Sequence, residues 1–182
     1  MLTAMADEAR DLAPFAVVAL VVLVAVWGIG AAQGKGMRSL LWAGLVVCVA
    51  AILWATLGSV IATGDRGTGG LNLVPFQEIQ RGIDNQDTSA WRNVVGNIVM
   101  FVPFGLVIAL LGRGGIWVRL LLATVVGATF STVIELTQYW AGRVADIDDI
   151  ILNTTGALLG AVVGAVIGGS VEKARRARAA RS

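Results

Sequence analysis

Five apolar runs, each near bilayer-crossing length, occupy residues 14–32, 40–63, 94–111, 116–140 and 150–169. A hydrocarbon core about 30 Å thick takes about 20 residues of helix to cross. No water is available in lipid to bond exposed backbone groups, so a chain can cross only as helices or as a closed barrel. A barrel would alternate apolar and polar residues over segments of about ten, and this chain shows no such pattern. Charged residues make up only 14% of the 182, well below the roughly one quarter of a soluble domain. The expected fold is therefore all-α: a polytopic transmembrane bundle of about five membrane-spanning helices, in a single integral membrane domain over 1–182.

Charge placement orients the chain. The start is acidic, with Asp7, Glu8 and Asp11 against Arg10, the wrong sign for a cleaved signal peptide. Residues 14–32 are thus read as a retained helix with Pro14 in its first turn. Lys35 and Arg38 sit in the first short turn, Arg113 and Arg119 at the third, and Lys173, Arg175, Arg176, Arg178 and Arg181 in the tail 170–182. Cytoplasmic loops carry the Lys/Arg excess. This predicts an N-terminus outside, a cytoplasmic C-terminus, and the polar segments 64–92 and 141–149 on the outer side. Within 72–79, NLVPFQEI, Pro75 pushes Val74 toward an extended conformation. Phe76, Ile79 and Ile83 then repeat at helical spacing, as in a short helix on the membrane surface or an ordinary capped connector.

The stretch 135–153, ELTQYWAGRVADIDDIILN, breaks the apolar pattern with groups that are expensive in lipid. Helical spacing puts Asn93 and Asn97 on one face, followed by Phe101 and Gly105. It does the same for Gly127, Ser131, Glu135 and Gln138, and for Asp149, Asn153, Gly156 and Gly160. The predicted topology brings all three faces into the outer half of the bundle. Glu135 lies about 7–8 Å inside its helix end at 1.5 Å per residue. The candidate ligand-binding residues are Asn93, Asn97, Glu135, Gln138, Arg143, Asp146, Asp149 and Asn153. They form either a pocket for a headgroup or glycan, or a network that holds the outer helix ends together. Gly156, Gly160, Gly164 and Gly168 recur every four residues beside Ala157, Ala161 and Ala165. Such a small-residue stripe suits close helix packing, within the protomer in preference to a homo-oligomer.

Other chemistries are limited by composition. With one cysteine and no histidine, an internal disulfide and the usual Cys/His zinc site are both excluded. Asp146, Asp148 and Asp149 lack the glycine and the twelve-residue spacing of a calcium loop. No metal, cofactor or nucleic acid is expected, and the catalytic residues of any reaction are unassigned. Membrane lipids are the expected surroundings.

Several elements in order resemble the VanZ-like family: NLVPF at 72–76, Asn97-x3-Phe101-x-Pro103-x-Gly105, Glu135-x2-Gln138, Arg143, Asp146-x2-Asp149, and Asn153-Thr-x-Gly156 with Gly160. The likeness spans about 72–160. It implies a bacterial inner-membrane protein of four or five helices, in a family whose namesake is associated with low-level resistance to teicoplanin and related lipoglycopeptides. The expected role is non-enzymatic engagement of a lipid-linked envelope precursor or a lipoglycopeptide by the outer polar pocket. A membrane enzyme acting on such a precursor, or a packing scaffold without ligand, is the alternative.

Overall fold

The computed structural model describes residues 23–63, 69–86 and 89–181. The acidic start, the first part of the expected first span and the glycine-rich 64–68 lie outside these. The helices are α1 (Leu23–Ala32), α2 (Gly36–Thr63), α3 (Gln77–Asp84), α4 (Ser89–Leu111), α5 (Ile116–Trp140) and α6 (Ile147–Ala179). Among the described residues, α2, α4, α5 and α6 are long and apolar enough to cross a membrane. The chain is a helical membrane bundle, as its apolar runs predict. It divides into two compact units at Val47/Cys48. In the first unit α1 reaches α2 through a tight turn in which Gly34 takes φ 70°, a conformation glycine adopts freely. The second unit, Cys48–Ser182, holds α3 to α6.

Its interior is built of small residues. Ala109, Ala123, Ala157, Ala161 and Ala165 are fully buried, whereas Val99, Leu121, Val125, Val133, Leu159 and Val163 are exposed. Lipid tails are as apolar as leucine, so large side chains gain little by turning inward, and close backbone packing decides the interface. Helix α6 applies this against α4. A methyl group on Gly160 would land on the Val102 carbonyl, one on Gly156 on the Ile98 carbonyl, and one on Gly164 against Leu106. From the other side, Gly105 of α4 and Gly127 of α5 both close on Ala157. Phe101, Phe104 and Phe130 fill the remaining space, with ring centroids 5.2–6.0 Å apart.

Two features depart from the expected outline. A parallel strand pair joins β1 (Gly70–Asn72) to β2 (Val144–Asp146), in register Gly70↔Val144, Leu71↔Ala145 and Asn72↔Asp146. Parallel strands need a long crossover, which α3, α4 and α5 supply. Helix α6 also runs 33 residues, about 50 Å at 1.5 Å per residue. It carries the basic tail as helix well beyond a core of about 30 Å.

At that far end Arg119 is buried. Its Nε donates to the Gly114 carbonyl at 3.0 Å and its NH1 to the Ala109 carbonyl at 2.9 Å. Glu172 lies 3.8 Å from its NH2. The last carbonyls of a helix have no partner within it. Here the guanidinium supplies one to the end of α4, and Gly168 leaves room for it.

Candidate functional site

Chain direction brings the start of α4, the end of α5 and the start of α6 to the same end of the bundle, near Thr56 late in α2. Two polar assemblies occupy this end.

The first is a docking clamp centred on Asp148, which is fully buried. One of its oxygens accepts from the Phe76 N–H at 2.5 Å. The other accepts from Glu78 N–H at 2.8 Å and Ile79 N–H at 3.2 Å. The first N–H groups of a helix lack internal acceptors and favour a nearby negative charge. Asp148 thus caps α3 from 70 residues away, where α3 has no side-chain cap of its own. Phe76 enters the helix at φ 68°, a strained left-handed conformation for a bulky residue that this clamp holds. Asp146 completes the assembly. It accepts from Asn72 Nδ2 at 2.8 Å across the strand pair and caps α6 by accepting from Asp148 N–H at 2.8 Å. Its own N–H donates to Glu135 Oε2 at 2.8 Å.

The second assembly is a cavity of about 220 Å³. Ala55 and Thr56 of α2 line one wall, and Arg92, Asn93, Gly96, Asn97 and Met100 of α4 another. Glu135 and Gln138 of α5, Asp149 and Asn153 of α6, and Arg143 of the connecting loop complete it. Asp149 Oδ1 accepts from Asn97 Nδ2 at 2.7 Å and Asn93 Nδ2 at 2.9 Å, tying α6 to α4. Gln138 Nε2 and Arg143 NH1 both donate to the Thr56 carbonyl, at 3.0 and 2.9 Å. Asn153 donates to Ser131 Oγ at 2.9 Å, but its Oδ1 has no hydrogen-bond partner, although the residue is only 1% exposed. A buried polar atom left this way costs about 1–3 kcal/mol. It is the one such side-chain atom among the described residues.

Of the candidates named from sequence, Asn93, Asn97, Glu135, Gln138, Arg143, Asp149 and Asn153 meet in this cavity. Asp146 does not line it, because both its oxygens serve the clamp. Glycines 156, 160, 164 and 168 face α4 and Arg119 within the chain. Sequence reasoning did not single out Thr56 or the capping role of Asp148. A clue to that role lay in NLVPF, whose polar Asn72 and turn-forming Pro75 precede a helix with no capping side chain of its own.

Fold and cavity together define a polytopic helical membrane protein with a polar cavity at one end. A profile of the VanZ/LLP1 family matches residues 40–168, and the chain belongs to that family. The match reaches further at both ends than the motifs at 72–160. Protein VanZ of Enterococcus faecium is 28% identical over 125 residues, covering 68% of this chain and 70% of that protein. No solved structure matches.

Proposed function

We propose that this VanZ-like protein sits in the bacterial inner membrane with its N-terminus outside. Its outer-leaflet cavity engages the polar part of an envelope molecule, a lipid-linked precursor or a lipoglycopeptide, without catalysing a reaction. The consequence is lowered susceptibility to teicoplanin-type lipoglycopeptides. One observation carries this reading: Asn153 Oδ1 is buried and unpartnered, in a residue that lines the same chamber as Glu135. A network serving stability alone would close on itself, as the Asp148 clamp does. Orientation is supported by Lys173, Arg175, Arg176 and Arg178 on the far extension of α6.

A deletion strain complemented with wild type, Glu135→Ala or Asp149→Ala, and challenged with teicoplanin and other envelope-acting drugs, tests the reading. At matched membrane levels only wild type should restore tolerance. Full restoration by both variants, or loss of both from the membrane, would count against a binding role.

A further inference from the structure

The chamber has an internal polarity that specifies a class of occupant. Its depth presents acceptors. Asn153 Oδ1 accepts nothing. Glu135 takes the Asp146 N–H on Oε2, and Asp149 takes both asparagine amides on Oδ1; the second oxygen of each carboxylate accepts no hydrogen bond from the described residues. Glu135 and Asn153 are buried, at 4% and 1% exposure. With Nδ2 of Asn153 donating to the Ser131 hydroxyl, the group left over is the acceptor Oδ1, and only the opposite amide orientation would leave a donor there. The rim is of opposite character. Arg92 and Arg143 line the same cavity and are exposed, and Arg92 makes no ion pair among the described residues.

We infer that the cavity takes a phosphate-bearing headgroup that carries an ammonium or hydroxyl donor beyond the phosphate. The phosphate meets the arginines at the rim, and the donor reaches Asn153 and Glu135 in the depth. Guanidinium groups suit phosphate oxygens in charge and in planar geometry. Buried acceptors discriminate strongly against an analogue that lacks the donor, because they are then left unpaired. A lipid headgroup and a free phosphomonoester share this chemistry. The inference rests on the binding reading above and narrows it.

Full-length protein in detergent, titrated with short-chain lipids and followed by native mass spectrometry, tests it. Phosphatidylethanolamine and phosphatidylglycerol, which bear donors, should bind at least about tenfold more tightly than phosphatidylcholine, which has the phosphate but no N–H or O–H. Arg92→Ala should weaken all three alike, by about tenfold. Asn153→Leu should remove only the advantage of the donor-bearing lipids, while Asn153→Asp, which keeps an acceptor, should retain it. Soluble phosphoethanolamine and glycerol phosphate form a second arm. If they bind with the same donor preference, the headgroup suffices, and if only the lipids bind, the acyl chains are part of the ligand. Equal binding of the three lipids to wild type, or an Arg92→Ala protein indistinguishable from it, overturns the inference. The drug-susceptibility test is independent of this result, so the narrower claim can fail while the binding reading stands.

Discussion

Replacing Asp148 by alanine removes the acceptor for three backbone N–H groups at the start of α3. Hydrogen bonds to a charged group are worth about 1.5–3 kcal/mol each. They share one carboxylate and will not add independently. The two shorter bonds dominate, and water can reach part of the vacated helix start. A net loss of about 3 kcal/mol is therefore expected, which is on the order of a hundredfold in the opening equilibrium of the segment. Asp148→Asn should do nearly as badly. Its amide can offer an oxygen to Phe76 or to the Glu78–Ile79 pair, but must turn a donor toward the other. Hydrogen exchange of the peptide covering 69–86, measured by mass spectrometry in nanodiscs, reads this directly. Exchange should accelerate by about two decades in both variants. In Glu78→Gln, which loses only the exposed pair with Arg81, it should barely change. Unaltered exchange in Asp148→Ala would refute the clamp.

Other substitutions probe the packing and the far end. Gly160→Ala places a methyl on the Val102 carbonyl, a backbone atom that cannot move aside. It should lower stability by about 1–3 kcal/mol, seen as a reduced melting temperature on size-exclusion analysis, while Gly28→Ala, which meets nothing, should not. Arg119→Met leaves the end of α4 without its donor and should lower the melting temperature, and Arg119→Lys should recover only part, since one ammonium cannot reproduce the fork. Asn97→Ala removes the shorter of the two bonds to Asp149. It should cost about 1.5–3 kcal/mol, a loss that shows in the same melting assay.

The helical bundle was legible because each apolar run answers a constraint set by lipid, and hydropathy reports it residue by residue. The polar faces were legible for a related reason. Asn97, Glu135 and Asn153 are so costly in an apolar run that helical spacing sufficed to group them. Hydropathy marks where a helix leaves the membrane, not where it ends, so the continuation of α6 through Lys173–Arg178 was missed, although Ala, Lys and Arg are good helix formers. The β1–β2 pair was illegible in kind, since three residues are too few for a period and the partners lie over 70 positions apart. Asp146, Asp148 and Asp149 are chemically interchangeable in a sequence. Only the start of α6 separates them: Asp146 becomes its cap, Asp148 turns to α3, and Asp149 turns to α4 and the cavity.

Gly96 offers a direct view of what the chamber holds. It lines the cavity, and a Cβ added there meets no neighbouring atom. A photo-reactive benzoylphenylalanine introduced at position 96 in living cells would capture whatever occupies the mouth, for identification by mass spectrometry. The same probe at Trp117, which is exposed at the opposite end of α5, would report ordinary surrounding lipid. The binding account predicts an envelope-derived, polar-headed adduct that is enriched at 96 over 117 and diminished by Glu135→Ala. Identical adducts at both positions, unchanged by Glu135→Ala, would contradict it.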